Sequence, residues 1–154
     1  DEQQVFRHHV PWTRLVADRA TTLPDGRTGG LLPYAIAERD HLVLKPNRSY
    51  GGTGVVIGAA SEPVAWARAL EVAAADPERW VVQRAVTLPV VEFPVLGDDG
   101  GVHAEPFYVV LGFTASSYGL ASVGRASQHR VVNVAQRGGL CVIVVGHPPG
   151  RLIL

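Results

Sequence analysis

Lys45 is the only lysine in a chain of 154 residues, and it closes an apolar run, Leu42-Val43-Leu44. A glycine-rich segment follows at once: Ser49-Tyr50-Gly51-Gly52-Thr53-Gly54. Phosphate binding needs backbone N–H groups that can come close to the ligand, which glycine permits, and a cation beside them. Lys45 is a compact, flexible cation at a predicted strand end, and the glycines supply the loop. The pattern is not a Walker A motif, because the lysine precedes the glycines and no GK[ST] follows. Nor is it a dinucleotide fingerprint, since the loop joins two predicted strands rather than a strand and a helix. An ordinary turn is the competing reading of such a loop taken alone.

Two further constellations follow. Trp80-Val81-Val82-Gln83-Arg84-Ala85-Val86 is a strand that ends in polar residues and runs into a linker. Such a segment can offer backbone donors and acceptors to a purine edge; the alternative is a strand with solvated Gln83 and Arg84. The last set is Glu105, Arg125, Asn133 and Gly138-Gly139. Glu105 and Asn133 are hard oxygen ligands suited to Mg²⁺, and Arg125 is suited to clamping a phosphoryl group. A strand-edge Glu, a surface Arg and a turn Asn are the plain alternatives. Asn133 resists that reading, because it interrupts an apolar run, Val-Val-Asn-Val, predicted as a strand that disfavours Asn. Asn47 and Asn133 are the only asparagines. The skew towards arginine fits a GC-rich genome, yet it singles out each Lys and Asn that remains.

The elements that must position these groups read as α+β. Trp12 to Val16 is a short extended segment, Thr21 to Gly30 a loop with a Pro24-Asp25-Gly26 turn, and Leu31 to Arg39 a short helix with Pro33 in its first turn. Leu42–Lys45 and Val55–Ile57 form a hairpin around the glycine loop. Ser61 caps a helix in which Trp66, Ala69, Leu70 and Ala73 make one apolar stripe, ended by Asp76-Pro77. Trp80–Arg84 is a third strand. Val90–Leu96 and Val102–Phe113 are strands around Gly97–Gly101, and His103, Glu105, Phe107 and Val109 share one face of the second. Thr114–Gly119 reads as a loop, Cys141–Val145 as a last strand and His147–Gly150 as a loop. The division is a leading segment 1–41, a lobe 42–86 with the glycine loop, and a strand-rich lobe 87–154, joined near 84–89.

Composition excludes several classes. Fourteen basic and 14 acidic residues balance, without a basic stripe, which argues against a nucleic-acid binder. A 47% hydrophobic content with 18% charged residues is not that of a disordered chain. No apolar run is long enough for a membrane helix, and residues 1–20 lack the apolar core of a signal peptide. Cys141 stands alone, so an intrachain disulfide is excluded and the cytoplasm is the expected compartment. The six histidines lack ligand spacing, and Ser116, Ser117 and Cys141 lack a nucleophile's partners.

Taken in order, the three constellations resemble the ATP-grasp superfamily. Within it they are most similar to the circularly permuted type 2 ATP-grasp proteins related to glutathionylspermidine synthase. The carrying residues are Val10-Pro11-Trp12-Thr13-Arg14, Leu42 to Asn47, Tyr50 to Val55 and Trp80 to Arg84. They continue through Glu105-Pro106-Phe107, Gly124 to Ser127 and Val132 to Gly139. The resemblance spans roughly residues 10–145.

It implies two α+β lobes that grip a nucleotide, and a ligase that joins a small-molecule or peptide carboxylate to an amine through an acyl phosphate, with ATP and Mg²⁺. It matches Lys45 to the lysine on ATP phosphate and adenine, and Ser49, Tyr50, Gly51, Gly52, Thr53 and Gly54 to the phosphate lid. Gln83, Arg84, Ala85 and Val86 match the adenine hinge, Glu105 and Asn133 the metal ligands, and Arg125 the γ-phosphate arginine. Arg137, Gly138 and Gly139 match the turn facing the transferred group. Two departures stand out. Many relatives carry Glu two residues before the metal-binding Asn, where this chain has Val131, so Glu92 or Glu105 would have to substitute. Relatives also carry a further acceptor-binding domain, so the chain is expected to be a fragment, to need a partner, or to be a degenerate nucleotide binder. A non-catalytic nucleotide-binding module and a phosphotransferase of the same fold are the alternative functions.

Overall fold

The computed structural model describes residues 1–143. They fall into two compact units, with the division between Thr87 and Leu88. The first opens with helix α1, Glu2–His9, whose N-terminus is capped by the Asp1 carboxylate on the Gln4 N–H. Strand β1 is Thr13–Leu15, and β2 (Ala20–Thr22) and β3 (Thr28–Gly30) form a small hairpin. Helix α2 is Leu31–Ala37, strand β4 Leu42–Pro46, strand β5 Val56–Ile57, helix α3 Pro63–Ala74 and strand β6 Trp80–Arg84. The main sheet runs β1-β6-β4-β5, antiparallel throughout.

Alternation along the strands decides what this sheet does. Leu42, Leu44 and Val82 share one face and are buried with Leu31 and Ala35 of α2 and Trp66, Leu70 and Ala73 of α3. The Trp66 indole N–H reaches the Ala35 carbonyl at 2.9 Å, which joins the two helices and satisfies the one polar atom of the buried ring. Residues 1–41, read as leading into the fold, supply part of this core. Val16, Leu31 and Ala35 are fully buried in this core, and β1 extends the sheet beside β6. The cap of α3 also differs from expectation. Glu62 is the capping position, Pro63 opens the helix, and the Ser61 hydroxyl donates instead to the Ile57 carbonyl.

The second unit contains β7 (Val90–Leu96), β8 (Val102–Ser116), β9 (Gly119–Ser127) and β10 (Gly139–Cys141) in the order β10-β9-β8-β7. Thr114–Gly119 is not a loop. Strand β8 continues to Ser116, and a tight Ser117-Tyr118 turn returns the chain at Gly119, whose φ of 122° suits glycine. Val131–Val134 is not a strand either. Asn133 caps a short 3₁₀ turn, Val134–Gln136, its side-chain oxygen accepting the Ala135 N–H at 3.0 Å. That role explains an Asn among valines, since its side chain supplies a partner for a free turn N–H. Of the expected last strand only Cys141 lies in β10; Val142 and Ile143 are described but not in a strand, and its remainder from Val144, with the 147–150 loop, lies outside the described residues.

Gly58 marks the tightest point of the first unit. A Cβ there would stand 2.0 Å from the Arg39 carbonyl oxygen. Gly58→Ala is expected to destabilise the fold by about 1–3 kcal/mol, and Trp66→Ala by about 3–5 kcal/mol; urea unfolding followed by tryptophan fluorescence and circular dichroism measures both.

Candidate functional site

The alternation that buries Leu42, Leu44 and Val82 sends Val43, Lys45 and Gln83 to the other face of the sheet. Thr13, Gln83 and Val43 are in register across β1, β6 and β4, with Lys45 diagonal to Gln83. The side chains join in a relay. Lys45 Nζ donates to Gln83 Oε1 at 2.7 Å, Gln83 Nε2 donates to Thr13 Oγ1 at 2.7 Å, and the Thr13 hydroxyl donates to the Pro11 carbonyl at 2.9 Å. The amide orientation follows from this network, since only the oxygen of Gln83 can accept from an ammonium. Among the described residues no carboxylate pairs with Lys45. The ammonium is therefore held in place while its charge stays uncompensated.

The glycine loop leaves the same strand. Gly51, Gly52 and Gly54 have φ of 66°, 74° and 76°, a region that only glycine enters without strain. Gly54 also lies so close to Pro46 that a Cβ would meet its ring at 2.9 Å. Asn47 anchors the start of the loop, its N–H on the Arg79 carbonyl and its amide on the Glu78 carbonyl. Tyr50 is 94% exposed at the tip. A half-buried ammonium and a loop built from left-handed glycines on one strand make a donor set suited to phosphate oxygens.

The expected hinge divides by face. Gln83 stands with Lys45, whereas Arg84 pairs with Leu42 and faces the opposite way. The backbone N–H groups of Arg84 and Ala85 are taken by the Trp12 and His41 carbonyls. Val86 is exposed just beyond them.

In the second unit, Glu105 and Arg125 do not converge. Glu105 lies opposite Phe93, while Arg125 lies between Val110 and Leu140. An unbroken register from Tyr108 to Ser116 puts odd-numbered β8 residues on one face and Val110, hence Arg125, on the other. The Glu105 carboxylate accepts the Gln128 amide. Arg137 has a left-handed φ of 61°, costly for a residue with a side chain, and the next residue must be Gly because a Cβ would meet the Asn133 carbonyl at 2.7 Å. Arg137 also lines a shallow hollow of about 380 Å³ with His129, Val131, Ala135 and Gln136. Gly139, in β10, is exposed. Among the described residues no three His, Cys, Asp or Glu side chains gather as a metal cluster. No helix among them is long and apolar enough to cross a membrane.

What residue-type reasoning missed is Thr13. Its signal was the Trp12-Thr13-Arg14 triplet on an extended segment, which looked like a short strand and turned out to hold one end of the relay.

No protein-family model matches the chain. Two curated proteins share a short stretch with it. One, from Frankia alni, is described as "Putative glutamate--cysteine ligase 2-3" and is 44% identical over 55 residues. The other, from Frankia casuarinae, is described as "Putative glutamate--cysteine ligase 2-2" and is 45% identical over 55 residues. In each case the match covers 36% of this chain and 6% of the relative. The chain is thus a partial homologue of proteins named as ligases and spans a small part of their length.

Proposed function

We propose that this chain is the nucleotide-binding part of an ATP-dependent carboxylate–amine ligase of the ATP-grasp type. The observation that carries the reading is Lys45, fixed by Gln83 and left without a counter-ion among the described residues, beside a loop of left-handed glycines. The ligase names of the two partial relatives support the reaction class.

In this reading Lys45 and the N–H groups of Ser49–Gly54 hold the phosphates, and the backbone near Gln83–Val86 takes the adenine edge. The substrate carboxylate attacks the γ-phosphorus, the bond to the β-phosphate oxygen breaks, and ADP leaves. The amine then displaces inorganic phosphate from the acyl phosphate. Positioning and charge neutralisation do most of this work, which suits a site built from one fixed cation and backbone donors. Before nucleotide arrives, Gln83 keeps Lys45 extended along the sheet, so little side-chain entropy remains to be lost on binding.

Mg²⁺ would supply further neutralisation of the phosphates. Glu105 and Asn133 are its candidate ligands, Arg125 the candidate phosphoryl clamp, and the Arg137-Gly138-Gly139 turn the segment toward the transferred group. The fit is incomplete: the Glu105 carboxylate already accepts Gln128 and the Asn133 oxygen already accepts Ala135. That observation favours, as a second reading, a nucleotide-binding module without catalysis. An upstream acceptor domain or a partner chain would complete the ligase, and the cytoplasm is the compartment the reading implies.

Mg-ATP at millimolar concentration is expected to raise the melting temperature, and Lys45→Ala to abolish the rise; an unchanged melting curve overturns both readings. Asn133→Ala separates two roles for that residue. A metal ligand predicts weaker Mg-dependent nucleotide binding with Mg-free binding intact, while the cap alone predicts a loss of about 1 kcal/mol of stability and equal binding. Hydroxylamine added to a turnover reaction traps an acyl phosphate as a hydroxamate. Its formation identifies the ligase, and ADP release without it points to phosphoryl transfer alone.

A further inference from the structure

A second cluster in the first unit lies on the sheet face opposite Lys45. Trp12 precedes β1 directly opposite Arg84, whose N–H donates to the Trp12 carbonyl at 2.8 Å. Arg14, two residues on, points to the same side and stacks its guanidinium over the Trp12 ring at 5.1 Å. Side chains directly opposite across antiparallel strands stand about 5 Å apart at Cβ, so Arg84 starts beside the indole that carries Arg14 and packs edge-on against Tyr34 at 5.6 Å. Trp12, Arg14 and Arg84 line a cavity of about 1000 Å³ with Leu23, Pro24 and Val86. Arg7, His8 and His9 of α1 lie at its edge. Among the described residues no Asp or Glu lines it.

The charge balance of this cavity is unusual for a chain with equal numbers of acids and bases. Arg14 is half-buried, and its three partners among the described residues are neutral: the Thr21 hydroxyl and the Thr13 and Thr22 carbonyls, at 2.8–3.0 Å. Those bonds fix the guanidinium but leave its charge uncompensated and part of its N–H set unspent. Neither Arg14 nor Arg84 has a carboxylate partner among the described residues. The acid of the adjoining hairpin turn, Asp25, is occupied: Arg27 binds it at 2.6 Å and holds its carboxyl below the usual range. Two like charges gathered on one side of a sheet, one of them partly desolvated, are costly unless an anion completes them. The indole, Leu23 and Pro24 supply an apolar wall beside that anion.

We propose that this cavity is a binding site for a small organic carboxylate that carries an apolar group, its carboxylate between Arg14 and Arg84 and its apolar part against Trp12 and Leu23. Arginine suits this task because its planar fork matches a carboxylate's two oxygens. The site lies on the sheet face opposite Lys45 and borders the Arg84–Val86 backbone that the nucleotide reading gives to adenine, but it is built from side chains that reading does not use.

The test uses hippurate as the probe, with its neutral methyl ester and inorganic phosphate as controls, and the assigned Trp12 indole resonance in ¹H–¹⁵N spectra as the readout. Hippurate is expected to shift that resonance saturably, and the ester and phosphate to bind at least about tenfold more weakly. Arg84→Gln, at an exposed position that does not threaten folding, is expected to weaken hippurate at least about tenfold, the scale of a lost charge-assisted hydrogen bond. Lys45→Ala is expected to leave hippurate binding intact, which separates this site from any failure of ATP binding. No saturable shift, an equal shift from the ester, equal binding of phosphate, or undiminished binding to Arg84→Gln would each overturn the proposal.

Discussion

Everything in the first unit depends on the pairing of β4 with β6. Five registered residue pairs, Leu42 with Arg84 through Pro46 with Trp80, lock the two strands. Because the pleat alternates, burying Leu42, Leu44 and Val82 under α2 and α3 leaves no choice about Lys45 and Gln83. Slipping the register by one residue would drive an ammonium into a core that holds Trp66 and Leu70 and would expose the leucines. The hydrophobic core and the polar relay are thus one constraint seen from two sides. The site's geometry is as stable as the core beneath it.

The same alternation explains which parts of the molecule were legible in the sequence. The hairpin around the glycine loop, the apolar stripe of α3 and the strand at Trp80–Arg84 came directly from period-2 and period-3.6 patterns, and each is present. Helix α1 was not legible, because it buries no residue and has no apolar stripe to announce it. Strand β9 was hidden for a related reason. Its residues Gly119 to Ser122 are exposed and, Leu120 aside, small, and only the pairing with β8 makes them a strand. The Val131–Val134 run failed in the opposite direction. Its composition says strand, but the Asn133 side chain bonds to its own backbone and turns the chain instead.

Candidate site residues were legible as types but not as directions. Lys45 and Gln83 were read in separate constellations, phosphate loop and adenine hinge, and meet at 2.7 Å. Glu105 and Arg125 were expected to serve one phosphate, yet the β8–β9 register sets them on opposite faces. Arg84 was grouped with Gln83 because the two are adjacent in sequence, and adjacency in a strand is what separates them. A motif read along the chain does not distinguish these cases; strand parity combined with the pairing register does.

Parity also sharpens the meaning of the single lysine. On the face opposite Lys45 arginine is held by neutral partners and an aromatic platform, as at Arg14 over Trp12. At position 45 the partner is one amide oxygen on the neighbouring strand. A planar guanidinium would spend its fork on Gln83 and the backbone. An ammonium makes the one bond that orients it and keeps its remaining protons directed outward. In a chain whose other basic residues are all arginine, the single bond to Gln83 is a geometry that an ammonium meets and a planar fork does not.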